Sequence, residues 1–399
     1  MRILQVSNRV PWPLNEGGNI GIYNYTRAYS ILENDVTIYC LDGQKHNTPI
    51  QEAQLELEKY ARVYIHPIDT DVKLGEAVKH LIGNTSYNVS RFYNTVFEQE
   101  LQELLQNETF DIVQLEGTFV GPYIDVIKKY HKGLLSLRMH NVEFEIWERL
   151  AANASNPIKK IYLKILSKQL KAYETGILQK ADVIVPVTND DGLKFKKLVP
   201  NVAVFTIPAG IDLSEWKYSP SNNFRNWYHI GSMEWHANAE AVNWFVDEIH
   251  NGILAIDSSY RLHLAGKGIN SSKFSALESI LVNDNVPRAY DFVQENDVCV
   301  VPLKSGSGIR LKILEAMAAG KLVISTTIGA QGIDYIAGHH LLIADTPVEF
   351  SALYEKLMKG SIDYKIIVQN ARKLVEDYYS TEALAQKQLE YYQKLISKA

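Results

Sequence analysis

The chain has 399 residues, 46% of them hydrophobic and 22% charged, with a formal net charge of −5 and a pI near 6.1. That length exceeds one ordinary core and predicts two domains of roughly 150–200 residues each, while the composition excludes a largely disordered chain. The acidic balance excludes a general nucleic-acid binder, which carries a basic domain, so no nucleic-acid partner is expected.

Cys40 and Cys299 each sit in an apolar run. They read as buried thiols in a reducing compartment, not as a disulfide or zinc framework. No uninterrupted apolar stretch approaches 18 residues. Neither a signal peptide nor a transmembrane helix is expected, and the expected location is cytoplasmic.

Taken in chain order, short β-branched runs predict strands over 2–7, 35–41, 62–68, 111–117, 134–140, 182–188 and 202–208. A second series follows over 227–232, 261–267, 285–290, 297–303, 321–326 and 341–345, with helical patterns such as 238–250, 310–319 and 348–359 between strands. Strands alternating with helices predict an α/β chain of parallel sheets, and two such series predict two doubly wound domains. The linker reads as "PAGIDLSEWKYSPSNNF" (208–224), with three breakers and a Ser/Asn run. The strand-free tail from about 361 reads as two polar helices. Ligands of such sheets sit beyond the carboxyl ends of the strands, so chemistry should fall just after strands.

The first stretch to obey that rule is "PWPLNEGGNIGIYNYTRAYSIL" (11–32). Gly17 and Gly18 open a helix there and suit either a close approach of backbone to ligand or a plain turn. Their spacing with Gly21 does not match G-x-G-x-x-G. Asp69-Thr70-Asp71 is a D-x-D triplet, short enough to arise by chance or to cap the stretch that follows, and no metal site is assigned to it. In "LRMHNVEFEIWERLA" (137–151), His140 ends a strand, where an imidazole suits a sugar hydroxyl and equally a structural role. Residues 156–172 carry Lys159, Lys160, Lys164, Lys168 and Lys171 with no acidic residue. The apolar residues among them recur at helical spacing. That is a basic amphipathic helix, fit for peripheral contact with anionic lipid or for a solvated outer face.

In the second series, "HIGSMEWHANAEAVNWF" (229–245) puts Gly231 after a strand and Asn238 at an expected helix N-cap. Gly231 fits backbone contact with a nucleotide, or turn chemistry. The richest stretch is "KSGSGIRLKILEAMAAGK" (304–321). A glycine loop, Ser307-Gly308-Ile309, runs from a strand into a helix whose first turn holds Arg310 and Lys312. Cations are repelled by a helix N-terminus, so an anion resolves the conflict. Arg grips a phosphate bidentately and Lys acts as a point charge. Glu315, about two turns beyond Gly308, cannot bind that anion but suits ribose hydroxyls. The plainer reading is an amphipathic helix with a Lys312–Glu315 surface pair worth about 0.2–0.5 kcal/mol.

Together, "NEGGNIGIYNY", "LRMHNVEFEIWERLA", "PAGID", "GSMEWHANAEAVNWF" and "SGIRLKILEAMAAGKLVIST" resemble glycosyltransferase family 4, in particular a subgroup with an SGIRLKILEAMA-type donor loop. The resemblance covers nearly the whole chain. It implies the GT-B fold, two Rossmann-like domains facing across a cleft, and a retaining transfer of sugar from a nucleoside diphosphate to an acceptor hydroxyl. The expected bounds are 1–207 for the acceptor-side domain, 208–375 for the nucleotide-sugar domain, and 376–399 for a helix returning to the first. Glu315 then matches the ribose-binding glutamate, His140 the histidine at the donor sugar, and Gly17 and Gly18 the loop lining the reaction centre. Arg310 and Lys312 stand at the diphosphate, with Gly231, Ser307, Gly308 and Ile309 lining the donor.

Two positions depart from that pattern. Ser307 stands where most members have a first glutamate, and "GSMEWHAN" lacks the usual Arg and Lys, a charge that Arg310 and Lys312 take over. The resemblance implies no cofactor beyond the donor, no metal, and an acceptor that is a polysaccharide, lipid-linked or protein-linked glycan. An epimerase of the same fold and a non-catalytic nucleotide-sugar binder are the alternatives, and a dinucleotide-dependent dehydrogenase fits worse.

Overall fold

A computed structural model describes residues 1–14, 17–43, 48–71, 86–153, 156–274, 276–284, 286–305 and 309–398. These residues form two compact units, Met1–Pro208 together with the segment from Leu384, and Ala209–Ala383.

The first unit holds a seven-stranded sheet in the order β3-β2-β1-β4-β5-β6-β7. Its strands are β1 (Arg2–Ser7), β2 (Asp35–Gly43), β3 (Arg62–Ile68), β4 (Ile112–Glu116), β5 (Leu134–Met139), β6 (Val183–Pro186) and β7 (Ala203–Val204). All neighbours pair in parallel. Strands covered on both faces are apolar at nearly every position, which is why they were legible as continuous runs. The order reverses between β1 and β4, the kind of place beyond the carboxyl ends where open parallel sheets bind ligands.

One face of the three central strands breaks the apolar rule. Leu4 and Val6, Val113 and Leu115, and Leu135 and Leu137 pack into one core, while Ile3, Ile112 and Leu134 pack into another on the opposite face. Side chains alternate along a strand, so that opposite face continues from Ile3 to Gln5 and Ser7, from Ile112 to Gln114 and Glu116, and from Leu134 to Ser136 and Arg138. All six of these polar residues are buried. The face is therefore apolar at its start and polar toward the carboxyl edge.

Helix α1 (Gly17–Ile31) follows β1, and helices α2 (Glu143–Asn153) and α3 (Pro157–Leu178) follow β5. The second unit has a six-stranded parallel sheet in the order β10-β9-β8-β11-β12-β13. Its strands are β8 (Asn226–Ile230), β9 (Arg261–Ala265), β10 (Ile280–Asn283), β11 (Val298–Val301), β12 (Leu322–Ser325) and β13 (Leu342–Ile343). Its order reverses between β8 and β11. Helix α4 (His236–Trp244) follows β8, and helix α5 (Leu311–Ala318) follows β11. Both units are Rossmann-like, and the chain is α/β throughout.

The strand expected over 285–290 is not there. The edge strand is Ile280–Asn283, and Ala289–Glu295 is helical with Arg288 as its N-cap. Pro287 supplies no N–H for a ladder, and the apolar run "ILV" just upstream takes the edge instead. The run 202–208 contributes only two strand residues, Ala203–Val204.

The tail forms helices α6 (Tyr364–Tyr378) and α7 (Thr381–Ile396). From Leu384 on, α7 belongs to the first unit, where Leu384, Ala385, Leu389 and Tyr392 pack with Ile3, Tyr25, Val36 and Ile207. Leu389→Ala is expected to cost about 2–5 kcal/mol, the usual cost of a buried leucine truncation. Thermal unfolding checks this, and an unchanged melting point would show that α7 adds nothing to that core.

Candidate functional site

In the second unit, β8 ends at Ile230 and the chain turns at Gly231, whose N–H donates to the Ala265 carbonyl at 2.9 Å. A Cβ on Gly231 would lie 2.6 Å from Lys312 Nζ and 2.7 Å from Asn238 Nδ2. Glycine lets the lysine amine stand where a side chain would begin, and a Cβ would displace it. Gly266, with φ +132°, faces the same turn, and a Cβ on it would lie 2.1 Å from the Gly231 carbonyl oxygen.

Lys312 stands in the first turn of α5. Its ammonium donates to Asn238 Oδ1 at 3.0 Å and to His229 Nε2 at 3.2 Å. His229 is buried, and its Nδ1 lies 2.9 Å from the Val300 carbonyl. A carbonyl only accepts, so Nδ1 carries the proton and Nε2 presents a lone pair to the lysine. Burial, reinforced by the Lys312 charge, pushes the His229 pKa down to about 3, which keeps the ring neutral. Burial, with Arg310 adding to it, lowers Lys312 to about 8. The amine is thus a buried cation at neutral pH with two of its three donors held in place.

Asn238 is not the N-cap expected of it. Trp235 takes that position, and the Asn238 amide donates to the Ser232 carbonyl at 2.9 Å while its oxygen accepts from Lys312. Arg310 is the N-cap residue of α5 and is 5% exposed, with its guanidinium 5.1 Å from the centre of the Trp235 ring. Ile309 packs against the core of the second unit. Ser307 and Gly308 lie outside the described residues.

Burial raises the Glu315 carboxyl to about 7, with Glu215 adding to the shift and Lys312 opposing it. The carboxyl is therefore in part neutral at physiological pH and suited to hydrogen bonds with hydroxyls. Arg310, Lys312 and Glu315 thus share one helix start, with Gly231, His229 and Asn238 against the lysine. His229 and Asn238 were missed as members of this group. A histidine inside a strand otherwise reading "WY.I" was the signal.

In the first unit, the sequence-assigned residues also gather at the carboxyl edge. Gly17 and Gly18 open α1, and a Cβ on Gly18 would lie 3.2 Å from Arg9 Nη1. His140 follows β5 with its side chain 24% exposed, and its Nε2 donates to Glu116 Oε2 at 3.1 Å. Glu116, also missed, is fully enclosed. Its Oε1 accepts from Gln5 Nε2 at 3.1 Å and Gln114 Nε2 at 2.6 Å, and its Oε2 also accepts from Arg138 Nη1 at 3.3 Å. Burial alone would raise this carboxyl, but Arg138, His140 and Gln114 hold it down at about 2.

Asp69 Oδ1 accepts the Asp71 N–H at 3.0 Å, a local turn contact. Among the described residues no cluster of three or more His, Cys, Asp or Glu side chains could hold a metal. The lysine-rich segment lies in α3, with Leu163, Leu166 and Leu170 buried and Lys159, Lys164, Lys168 and Lys171 exposed. Ile161 and Ile165, expected on the packed face, are 62% and 38% exposed and lie among the lysines. No described helix is long and apolar enough to cross a membrane.

The chain is 22% identical over 398 residues to an "Uncharacterized 44.6 kDa protein in cps region" of Klebsiella pneumoniae, covering 96% of this chain and 97% of that one. Among solved structures it is similar to Anabaena Alr3699/HepE in complex with UDP (TM-score 0.64, 12% identity, 99% of this chain and 100% of that one). It is also similar to the pneumococcal O-GlcNAc transferase GtfA in complex with UDP and GlcNAc (TM-score 0.62, 12% identity, 99% of each chain). Residues 225–359, which hold the Lys312 site, match the model of the family described as "Glycosyl transferases group 1". The match to that family model thus falls within the second unit, in a chain of two Rossmann-like units with GT-B neighbours.

Proposed function

We propose that the protein is a retaining glycosyltransferase that moves a sugar from a nucleoside diphosphate to an acceptor hydroxyl of a polysaccharide, lipid-linked or protein-linked glycan. The observation that carries this reading is the ammonium of half-buried Lys312, hydrogen-bonded to neutral His229 and to Asn238 at the switch point of the second sheet. A cation in such a place lowers the energy of an anion beside it. Arg310 supplies a second positive charge at the start of the same helix, Glu315 a hydroxyl partner for the ribose, and Gly231 the close backbone approach, with Ser307, Gly308 and Ile309 assigned to the donor by the resemblance. His140, with Gly17 and Gly18, is assigned to the transferred sugar. UDP occurs in the complexes of both structural neighbours, so UDP sugars are the first donors to test.

As the bond from sugar to diphosphate breaks, negative charge grows on the leaving group. Fixed cations stabilise that state more than the ground state, and it is this difference that accelerates the reaction. Two protein cations supply the charge, so turnover is expected to survive EDTA. Release of nucleoside diphosphate from a panel of UDP and GDP sugars, with EDTA present, is the test. Lys312→Ala or Arg310→Ala should lower kcat/KM at least tenfold, or about 1.4 kcal/mol. Unchanged kinetics in both variants would refute the site. Glu315→Ala should mainly weaken nucleotide binding, because ribose contacts change little along the reaction. A collapse of turnover with binding intact would remove its ribose role.

The exposed lysines of α3, with Ile161 and Ile165 among them, support peripheral contact with anionic lipid at the cytoplasmic face of a membrane. Each lysine near such a surface contributes about 1 kcal/mol. Co-sedimentation with vesicles containing anionic phospholipid should fall at least tenfold in a Lys164→Glu/Lys168→Glu variant, and equal binding by both proteins would refute the contact.

A further inference from the structure

We infer that Glu116 is a positioning residue for His140, accepting a hydrogen bond from its Nε2–H so that, in the neutral ring, the Nδ1 lone pair is left for a hydroxyl of the reacting sugar. The inference rests on the transferase reading for its substrate, while the geometry on which it stands lies wholly in the first unit.

The argument begins with the donors around Glu116. A carboxylate has about four lone-pair sites, and here four N–H groups fill them: Gln5 and Gln114 on Oε1, Arg138 and His140 on Oε2. A carboxylate so occupied is neither a nucleophile nor a general base. Its ionised form has no proton to give, so the contact with His140 Nε2 must be donated by the ring. In the neutral ring Nδ1 is then the acceptor, and it has no hydrogen-bond partner among the described residues.

The donors themselves cannot turn round. Gln5 Oε1 lies 2.8 Å from Thr26 Oγ1, and the Glu116 carboxylate, which only accepts, keeps the Gln5 amide nitrogen toward itself. Gln114 Oε1 accepts from Tyr29 at 3.0 Å, from Gln388 at 3.0 Å and from Tyr392 at 2.9 Å, which does the same for Gln114. Arg138 lies 4.0 Å from the centre of the Tyr25 ring and also donates to the Gly21 carbonyl at 3.4 Å. Each partner of Glu116 is thus held by a group behind it, and the imidazole is the one member of the set that reaches solvent. On the exposed side, Gly21 and Gly117 leave room. A Cβ on either would stand about one contact distance from the ring, at 4.0 and 3.8 Å, and Gly117 has φ +92°.

The test uses the whole chain labelled with ¹³C and ¹⁵N in histidine, with the His140 signals identified by their loss in His140→Gln. The expected result is the Nε2–H tautomer in the wild-type protein. A predominant Nδ1–H tautomer would overturn the inference, and this readout needs no substrate, so it decides the matter even if the transferase reading fails. A kinetic cycle supplies the second arm, with UDP release as the assay and a thermal melt to confirm folding of each variant. Glu116→Gln should lower kcat/KM at least tenfold in the wild-type background and less than about twofold in the His140→Gln background, because a residue acting through another has nothing left to position. Equal losses in both backgrounds would show that Glu116 acts on the fold alone.

Discussion

A lysine amine buried beside a glycine is the constraint on which the second unit depends. The Lys312 ammonium donates to His229, whose neutral ring turns a lone pair toward it, and His229 is held that way by the hydrogen bond from its Nδ1–H to the Val300 carbonyl. The glycine at 231 follows from the same contact, since a Cβ there would collide with the amine. Gly266 follows in turn from the path of Gly231. Two glycines, a histidine and an asparagine thus gather around one ammonium group, at the place where the order of the sheet reverses. Burying a charge costs several kcal/mol unless it is compensated. Such a cost is ordinarily carried for the sake of a ligand, and an anion is the ligand this arrangement would stabilise.

The first unit is organised around the opposite charge. Glu116 is buried at the carboxyl edge of the central strands, with Arg138 as its partner in the adjoining strand at the registered position. The polar face on which both stand is closed by α7, whose Tyr392 and Gln388 reach Gln114. The final helix is therefore more than a lid on apolar residues: it completes the hydrogen bonding of the group that holds His140. Each unit presents a side chain whose hydrogen bonding is set by a partner at full burial.

Much of the fold was legible in the sequence because parallel strands covered on both faces are continuous apolar runs, and glycines and prolines marked their ends. The misplaced edge strand shows the limit of the method: "NVPRAY" has β-formers, but Pro287 removes a ladder donor that a strand requires. Of the site, Arg310, Lys312 and Glu315 stood out because cations at a helix start are out of place. Gly231 was legible only as a turn, and its reason for being glycine lies 81 residues away in sequence. Asn238 was assigned to capping because its local spacing allowed it, whereas its real partner is a lysine brought up from the next crossover. Glu116 and Arg138 were passed over inside strands. The signal was there: a strand of an all-parallel sheet has no cause to hold an acid or a base unless the two meet, and register, which sequence alone does not specify, makes them meet.

The central claim is that Lys312 is a charged group waiting for an anion, and calorimetric titration of UDP from pH 7 to 9.5 tests it most directly. An anion favours the ammonium over the free amine, so the folded, ligand-free pKa of about 8 sets the pH above which binding must weaken. The account predicts affinity that is level near pH 7 and falls as pH rises through 8, by up to about tenfold per unit, with net proton uptake on binding above pH 8. Affinity that stays level to pH 9.5, with no proton uptake, would contradict it.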